Sequence, residues 1–329
     1  MSFLVRNLRY RSSLRKRYET IYNVFMLNTY KYNGETWVDI DNGTAEEIRE
    51  IVDRYKIHPF VARELSAGTR KPRIEFHNNY IYCILHFPAW KHSHGKEQNQ
   101  EVDFIIGKNL LITARYDTID ALHKFSKTLE VKEILEKENA ETGSHIIFVN
   151  MLRELYAGLF DELEYIEDLT DDITAQIFHG KERDMVVSIS EVTRTLLNFK
   201  RVTELHREVL EALHRHGETV FGNDFARDIE SITLEYMRIN SAIRSNLEVL
   251  HELRDTNDSL LSTKQNETIK QLTILGAVIL PLTIISQLFG MSIKNFPLQN
   301  NPNAFWIILA LMCTVGLITA VYARHKKWI

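Results

Sequence analysis

The stretch IKQLTILGAVILPLTIISQLF, residues 269–289, decides the architecture of the chain. A second apolar run, AFWIILALMCTVGLITAVYA, covers residues 304–323. Each run is about 20 residues long, the length that an α-helix needs to cross roughly 30 Å of hydrocarbon. The second run lacks the polar face that a helix on the surface of a soluble protein carries. The sequence therefore predicts two transmembrane helices, one for each run.

The connection between the runs, GMSIKNFPLQNNPN at residues 290–303, contains the Asn and Pro residues that favour turns. A hairpin of two spans places both of its ends on one side of the membrane. Lys294 is the single basic residue of this outer loop, whereas three basic residues follow the second span. The positive-inside bias therefore predicts that both termini lie in the cytoplasm. We expect a multi-pass protein of the inner or plasma membrane. The basic tail at 324–329 carries Arg324, Lys326 and Lys327.

Composition excludes several other classes of protein. The chain has 329 residues and a net charge of −4, which does not favour a nucleic-acid partner. Residues 1–20 form a basic arm without an apolar core of signal-peptide length, and this arm is predicted to be solvated or to touch anionic lipid. Cys313 lies inside an apolar run, which argues against a disulfide with Cys83. The sequence has no nucleophile–base pair or phosphate loop, so we expect neither an enzyme nor a catalytic cofactor.

Residues 21–140 are predicted to form a cytosolic α/β domain. TAEEIREIVDRY opens with Thr44 and has Glu47 three residues on, which is the capping box of a helix. PFVARELSAG predicts a second, short helix that ends at Gly68. Segments rich in β-branched and aromatic residues predict strands. These segments are TIYNVFMLN at 20–28, NYIYCILHF at 79–87, EVDFIIGKN at 101–109 and LLITARY at 110–116.

Residues 141–268 change to the pattern of long helices. Apolar residues recur at helical spacing over 152–177, and FHGKER then breaks the run. A second helix is predicted over 189–213 and is broken by RHGETVFGN. A third pattern meets no helix breaker before the first apolar run. It predicts one very long helix, from about residue 224 to 290, that leaves the soluble part and becomes the first span.

An acidic segment, DELEYIEDLTDD at residues 161–172, lies on the first of these helices. Four of its acids share one helix face at spacings of three and four residues. This face is either solvated or attracts cations, because carboxylate oxygens suit hard divalent ions. The candidate residues of this cation-attracting face are Asp161, Glu164, Asp168 and Asp171.

The long helix carries small and polar residues on one face through the first span. A single hairpin cannot enclose a water path, so a pore would have to be built by several subunits. Each residue of the face would then form a ring, and leucines would form hydrophobic constrictions that gate by dewetting. The alternative is that the small residues serve helix packing. The candidate pore-lining residues are Asn266, Leu272, Gly276, Leu280, Thr283 and Gln287.

Several motifs together resemble the CorA family of magnesium channels. They are LPLT followed by a Gly-Met-Ser turn, the two-span C-terminal hairpin and the KKW tail. KIHPFVARELSAGTRKPRIEFHNNYIYCILHFP is similar to the family's soluble-domain signature, and QNETIKQLTILGAVILPLT to its pore-helix entrance. The resemblance extends from about residue 35 to the C-terminus. It implies an α+β membrane protein that forms a homopentamer, with a cytosolic α/β domain, a funnel of long helices, and first spans that line the pore.

The resemblance also implies roles for individual residues. Asn266 matches the pore entrance, Leu272 and Leu280 match the hydrophobic gate, and Thr283 matches the mid-pore threonine. The outer mouth and its signature turn correspond to Gly290, Met291 and Ser292. The basic tail corresponds to a positive ring around the cytosolic mouth of the pore.

Three residues around the outer mouth depart from the family pattern. Ser292 stands where the family has asparagine, and a serine hydroxyl is shorter than the amide that it replaces. Lys294 replaces an acid that would concentrate cations, and Gln287 stands where a small residue is usual.

A fourth departure concerns magnesium sensing between subunits, which the family achieves with acids. Asp255 matches one of these regulatory metal positions and Asp228 lies near another, but the partner position is Lys91. A charged lysine cannot bind a metal ion, so the resemblance predicts that this sensor is absent or replaced by a Lys–Asp pair.

The sequence is compatible with three functions. The first is uptake of Mg²⁺, with Co²⁺ or Ni²⁺ as substitutes. The second is zinc transport, which is known in the family and for which the histidines at 92–94 and 214–216 could supply contacts, although both sets also fit exposed loops. The third is a membrane scaffold that has lost transport, which Ser292 and Lys294 motivate.

Overall fold

The computed structural model of the chain describes residues 27–32, 34–69, 71–90, 99–116, 119–135, 143–290 and 302–325. Over these residues the strands are β1 Leu27–Tyr32, β2 Glu35–Asp41, β3 Arg73–Phe76, β4 Tyr80–Pro88, β5 Asn99–Gly107 and β6 Leu110–Arg115. The helices are α1 Ala45–Tyr55, α2 Pro59–Glu64, α3 Asp120–Leu135, α4 Ser144–Phe178, α5 Glu182–Glu204, α6 His206–Phe221, α7 Asn223–Gly290 and α8 Ala304–His325.

The strands form one mixed sheet in the order β1-β2-β6-β5-β4-β3. The pairing of β2 with β6 is parallel, and the other neighbours pair antiparallel. The strands predicted at 79–87, 101–109 and 110–116 are confirmed as β4, β5 and β6. The strand predicted at 20–28 lies almost wholly outside the described residues, and β1 begins at Leu27. The strands β2 and β3 were not predicted from the sequence.

One face of the sheet packs on the two short helices. The core on this face joins Val38, Ile84 and Ile112 of the sheet with Ile48 of α1 and Val61 of α2. Full burial of a branched aliphatic side chain contributes about 1.5–3 kcal/mol, so this cluster fixes α1 and α2 on the sheet.

The predicted start of α1 is confirmed in detail. The backbone N–H of Thr44 donates to the Glu47 carboxylate at 2.7 Å, and the Thr44 hydroxyl accepts from the backbone N–H of Glu47 at 3.3 Å. The two groups satisfy each other's free donors, as a capping box requires. The segment after α2 turns at Gly68, whose φ of +61° lies in the left-handed region that glycine adopts without strain.

The chain packs as two compact units. The described residues up to Asp172, together with Ser190–Leu250, form the first, and Ile173–Ile189 with the described residues from His251 onward form the second. The first unit contains the sheet. The second contains the turn between α4 and α5, the C-terminal part of α7, and α8. The predicted long helix is confirmed, because α7 continues without interruption for 68 residues.

The prediction of a single helix over 189–213 is wrong, because the segment forms α5 and α6 with a break at Leu205. The backbone of Leu205 keeps helical angles, φ −73° and ψ −18°, so apolar periodicity does not reveal the break. The break lies beside His206, whose ring is held by two other elements. Its Nε2 lies 2.8 Å from the carbonyl oxygen of His86, and its Nδ1 lies 2.9 Å from the hydroxyl of Tyr156.

The predicted break within RHGETVFGN, residues 215–223, is confirmed, and it lies near the end of that stretch. Helix α6 continues through Gly217 and ends at Phe221, and the chain then turns at Gly222 with φ +93°. Gly217 serves close packing inside the helix rather than termination. A Cβ atom at this position would lie 2.6 Å from Cδ1 of Phe225, a ring that is fully buried.

Replacement of Gly217 by alanine is therefore expected to destabilise the first unit. The added methyl group meets the Phe225 ring in a packed core, and overpacking of this kind costs about 1–3 kcal/mol in the free energy of unfolding. Urea denaturation of the purified protein measures the change. The matched control is Gly158→Ala, the same change inside α4, where the added Cβ would lie 3.5 Å from Cβ of Ala121, an ordinary van der Waals distance. A Gly217→Ala variant as stable as the wild type would contradict the close contact.

Candidate ion-conduction site

The six candidate pore-lining residues all lie on α7 and are all exposed to solvent in the single chain. Leu272 is 63% exposed and Leu280 is 62% exposed. A Cβ added to Gly276 would meet no atom within 4 Å. This face of α7 therefore has no partner within the described part of its own chain.

The opposite face of α7 contacts the second candidate span. A Cβ on Gly316 of α8 would lie 3.9 Å from Leu282 of α7, which is ordinary van der Waals contact. The half-buried positions of α7 lie on the same side of the helix as this contact and form one stripe. They are Ile274, Val278, Pro281, Leu282, Ile285 and Phe289. At 100° per residue, this stripe lies about half a turn from the candidate pore face. The pairing of the two spans thus leaves the candidate face free to meet other subunits.

The hydroxyl of Thr283 is oriented by its own helix. It donates to the carbonyl oxygen of Ile279 at 2.8 Å, so its donor is used within α7. The oxygen retains acceptor capacity on the exposed side of the helix. A ring of such oxygens could accept hydrogen bonds from the water shell of a cation. Pro281, half a turn away, lacks the N–H that would otherwise bind the Ala277 carbonyl.

The outer turn is described only at its first residue. Gly290 ends α7, and Met291, Ser292 and Lys294 lie outside the described residues. The roles predicted for the outer mouth therefore stay predictions. The same holds for the basic tail: Arg324 is within α8, whereas Lys326 and Lys327 are not described.

An ion pair that was not predicted from the sequence lies close to the predicted pore entrance. Nζ of Lys264 is 2.7 Å from Oε2 of Glu182, at the start of α5, and the Glu182 side chain is 7% exposed. The hydrogen bond from Lys264 lowers the pKa of Glu182. The pair fixes the turn between α4 and α5 to α7 two residues before Asn266. The sequence interpreted FHGKER only as a break, because no local signal links positions 82 residues apart.

The candidate regulatory acids are not brought together with other ligands. Asp228 accepts from Arg153 at 3.2 Å, and Asp255 is exposed. Lys91 lies outside the described residues. Among the residues that the structure describes, no group of three or more His, Cys, Asp and Glu side chains is placed to hold a metal ion. The two acids stay candidates for a site that would need a second subunit.

The acidic face of α4 is exposed at all four predicted positions. A neighbouring acid on the same helix, Glu162, is instead buried and accepts from the backbone N–H of Trp90 at 2.8 Å. Asp161 lies at the edge of a cavity of about 230 Å³ whose lining also includes Lys124 and Glu154. Exposure fits both a solvated surface and a cation-attracting face.

Comparison with known proteins identifies the class. A sequence profile described as "CorA-like Mg2+ transporter protein" matches residues 32–325. The chain belongs to this family, whose members are membrane transporters rather than enzymes.

Two curated relatives are similar to the chain over most of its length. It is 23% identical over 299 residues to the cobalt/magnesium transport protein CorA of Thermotoga maritima, covering 89% of this chain and 83% of that protein. It is 23% identical over 296 residues to the protein of the same name from Methanocaldococcus jannaschii, covering 89% of this chain and 91% of that protein.

Solved structures confirm the fold. The complete CorA magnesium transporter from Methanocaldococcus jannaschii matches with a TM-score of 0.79 at 22% identity, over 94% of this chain and 95% of that one. A cytoplasmic domain of ZntB from Vibrio parahaemolyticus matches with a TM-score of 0.58 at 12% identity, over 70% of this chain and 90% of that one. The predicted architecture of a mixed-sheet domain, long helices and two C-terminal spans is therefore confirmed. At these identities, the structures establish the fold and not the ion.

Proposed function

We propose that the chain forms a homopentameric channel for divalent cations, with Mg²⁺ as the transported ion and Co²⁺ or Ni²⁺ as substitutes. The channel lies in the inner or plasma membrane with both termini in the cytoplasm, and α7 lines the pore. One observation carries the proposal: the small and polar face of α7 is exposed and lies half a turn from the contact with α8. Membership of the CorA-like family supports a divalent cation as the substrate.

The chemistry of the face favours an ion that keeps its water shell. Its candidate residues Asn266, Thr283 and Gln287 offer amide and hydroxyl oxygens, and no carboxylate lies within the first span at residues 269–289. Such groups bind the water molecules around a cation rather than the bare ion. Mg²⁺ dehydrates reluctantly and suits this environment better than a cation that must exchange its ligands.

Thr283 provides a specific test of the pore face. Replacement by valine keeps the shape of the side chain but removes the oxygen, and we expect Mg²⁺ flux through purified protein in liposomes to fall by about tenfold, ~1.4 kcal/mol in the barrier. Thr283→Ser retains the hydroxyl and is expected to stay within about threefold of the wild-type flux. Equal flux in the valine variant and the wild type would remove Thr283 from the pathway.

The transported ion is tested by a competition panel. Liposomes that contain the protein and a Mg²⁺-sensitive dye are exposed to Mg²⁺ together with Co²⁺, Ni²⁺ or Zn²⁺. We expect Co²⁺ and Ni²⁺ to compete with Mg²⁺ entry. Direct Zn²⁺ flux without Mg²⁺ flux would instead favour the zinc transporter.

The scaffold alternative is tested at the outer mouth. The double variant Ser292→Asn with Lys294→Asp restores the amide and the acid of the family turn. If the chain is a channel, wild type and variant both conduct, and the variant conducts more at low Mg²⁺ because its mouth attracts cations. Flux in the variant together with none in the wild type would establish that the native chain has lost transport.

A further inference from the structure

Two carboxyl groups are buried on β5, and one of them contacts the segment Leu65–Thr69, which follows α2 and leads to β3. Glu101 and Asp103 are two residues apart on β5, so their side chains project from the same face of the sheet. Asp103 is 1% exposed and Glu101 is 9% exposed. The proposed ion pathway uses neither group, so their burial calls for another explanation.

Glu101 holds this segment against the sheet. The backbone N–H of Thr69 donates to the two carboxylate oxygens of Glu101 at 2.7 and 2.8 Å, and the Thr69 hydroxyl donates at 2.9 Å. Nε2 of His86 lies 2.9 Å from the carbonyl oxygen of Thr69 and 3.5 Å from Oε2 of Glu101. Because a carbonyl oxygen only accepts, this Nε2 carries a hydrogen. Both sides of the Thr69 backbone are thus bound through β4 and β5.

Asp103 has the surroundings of a protonated acid. Its Oδ2 accepts from the hydroxyl of Tyr82 at 2.8 Å, whereas its buried Oδ1 has no partner that donates to it. Burial raises the pKa of Asp103 well above its usual range, and the charge of Glu101 and a hydrogen bond with the Glu101 side chain raise it further. A proton on Oδ1 converts the unpaired acceptor into a donor toward Glu101. One proton then satisfies both carboxyl groups.

The other groups that face the pair do not replace this proton. Tyr82 and His86 project from β4, and Tyr116 follows β6, with its hydroxyl 3.2 Å from the carbonyl oxygen of Glu64. Burial and the charges of the two carboxyl groups raise the pKa of Tyr116, as does a hydrogen bond with the Asp103 side chain, so Tyr116 stays neutral. Its single hydroxyl hydrogen donates to the Glu64 carbonyl oxygen and is not available to Oδ1 of Asp103. Among the described residues, Arg73 on β3 is a nearby cation that lowers the pKa of Asp103, but its guanidinium also binds Glu64 and Glu75.

We propose that the proton shared by Asp103 and Glu101 latches Leu65–Thr69 onto the sheet, and that loss of this proton releases the segment. Without it, two negative charges face each other on a buried surface, and the less buried Glu101 moves toward water. Thr69 then loses its acceptors. The left-handed turn at Gly68 lies directly against the same carboxylate, since a Cβ there would be 3.3 Å from Oε2 of Glu101. The latch is independent of the proposed transport function.

Amide hydrogen exchange on the full-length protein in detergent tests the release. We expect the peptide that contains Thr69 to lose protection at alkaline pH, by about tenfold for each pH unit above the ionisation midpoint of Asp103, after correction for intrinsic exchange. The variant Asp103→Asn donates to Glu101 at every pH and is expected to keep its protection. The control Asp53→Asn makes the same chemical change at an exposed position of α1 and should behave as the wild type. Loss of protection in Asp103→Asn that parallels the wild type would overturn the latch.

Thermal stability gives a second test, in which the ionisation midpoint of Asp103 does not have to be reached. An acid whose pKa is raised on folding binds more protons in the folded state, so its contribution to stability falls as pH rises above the unfolded value. Asp103→Asn removes this effect. The midpoint of Asp103→Asn minus that of the wild type should therefore increase between pH 5 and pH 8, whereas Asp53→Asn should show no such trend. A difference that does not change with pH would contradict a shared buried proton.

Discussion

Replacement of Gly276 by leucine is expected to abolish Mg²⁺ flux while leaving the folded chain intact. A Cβ at Gly276 meets no atom within 4 Å, so one chain has room for the larger side chain. In a pentamer with α7 around the axis, five leucine side chains would enter the pore at one level. We expect flux in liposomes to fall by at least about a hundredfold, ~2.7 kcal/mol in the barrier.

Ala277→Leu is the matched control for this variant. Ala277 is the next residue of α7, it is also exposed, and it points about 100° away from Gly276. The variant places the same leucine side chain away from the azimuth that Leu272, Gly276 and Thr283 share, and it is expected to retain flux within about threefold of the wild type. Oligomeric size on a sizing column checks that both variants assemble. Full flux in Gly276→Leu, or equal loss in both variants, would contradict the assignment of this face.

His206 is expected to make the stability of the soluble part depend on pH below neutrality. Its ring is fully buried, and burial lowers its pKa to about 4. The neutral ring is fully paired, since Nε2–H donates to the His86 carbonyl and Nδ1 accepts from the Tyr156 hydroxyl. Between pH 6.5 and about 4, the unfolded state binds a proton that the folded state does not. The contribution of His206 is therefore complete above pH 6.5 and falls by about 3 kcal/mol as pH drops to 4.

Urea denaturation at several pH values measures this effect. His206→Gln is expected to be less stable than the wild type at pH 7, because it loses at least one of the two hydrogen bonds. Its stability should fall less steeply between pH 6.5 and 4, because the buried titrating ring is gone. His251→Gln, at an exposed position of α7, should keep the wild-type slope. An unchanged slope in His206→Gln would show that the ring titrates normally in the folded protein.

The sequence predicts those elements of the fold that depend on neighbours along the chain. The capping box of Thr44 and Glu47 marks the start of α1, and the absence of any breaker predicts the length of α7. Hydrophobic periodicity does not predict the break at Leu205, because the backbone there remains helical. The neighbouring residue His206 is held by a hydrogen bond to a strand 120 residues away. The sequence also predicts the break within RHGETVFGN, but it does not predict that Gly217 in this stretch lies inside the helix, where the ring of Phe225 leaves room only for glycine.

The candidate site divides in a similar way. The pore face could be predicted from helical periodicity, and its exposure opposite α8 agrees with that prediction without testing it. The pair of Lys264 and Glu182 could not be predicted, because each residue is an ordinary surface charge until the turn after α4 meets α7. The buried pair of Asp103 and Glu101 could not be predicted either, for a different reason. Alternating acids on a strand indicate a solvated face, and burial becomes evident only when Leu65–Thr69 covers them.

Mg²⁺ entry into liposomes that contain the purified wild-type chain is the most direct measurement of the central claim. With an inward Mg²⁺ gradient and a negative potential inside, a dye in the lumen reports entry of the ion. We expect entry well above that of protein-free liposomes, with loss in Gly276→Leu and retention in Ala277→Leu. Wild-type protein that is folded, oligomeric and correctly inserted but admits no Mg²⁺ would contradict the claim that this chain is a magnesium channel.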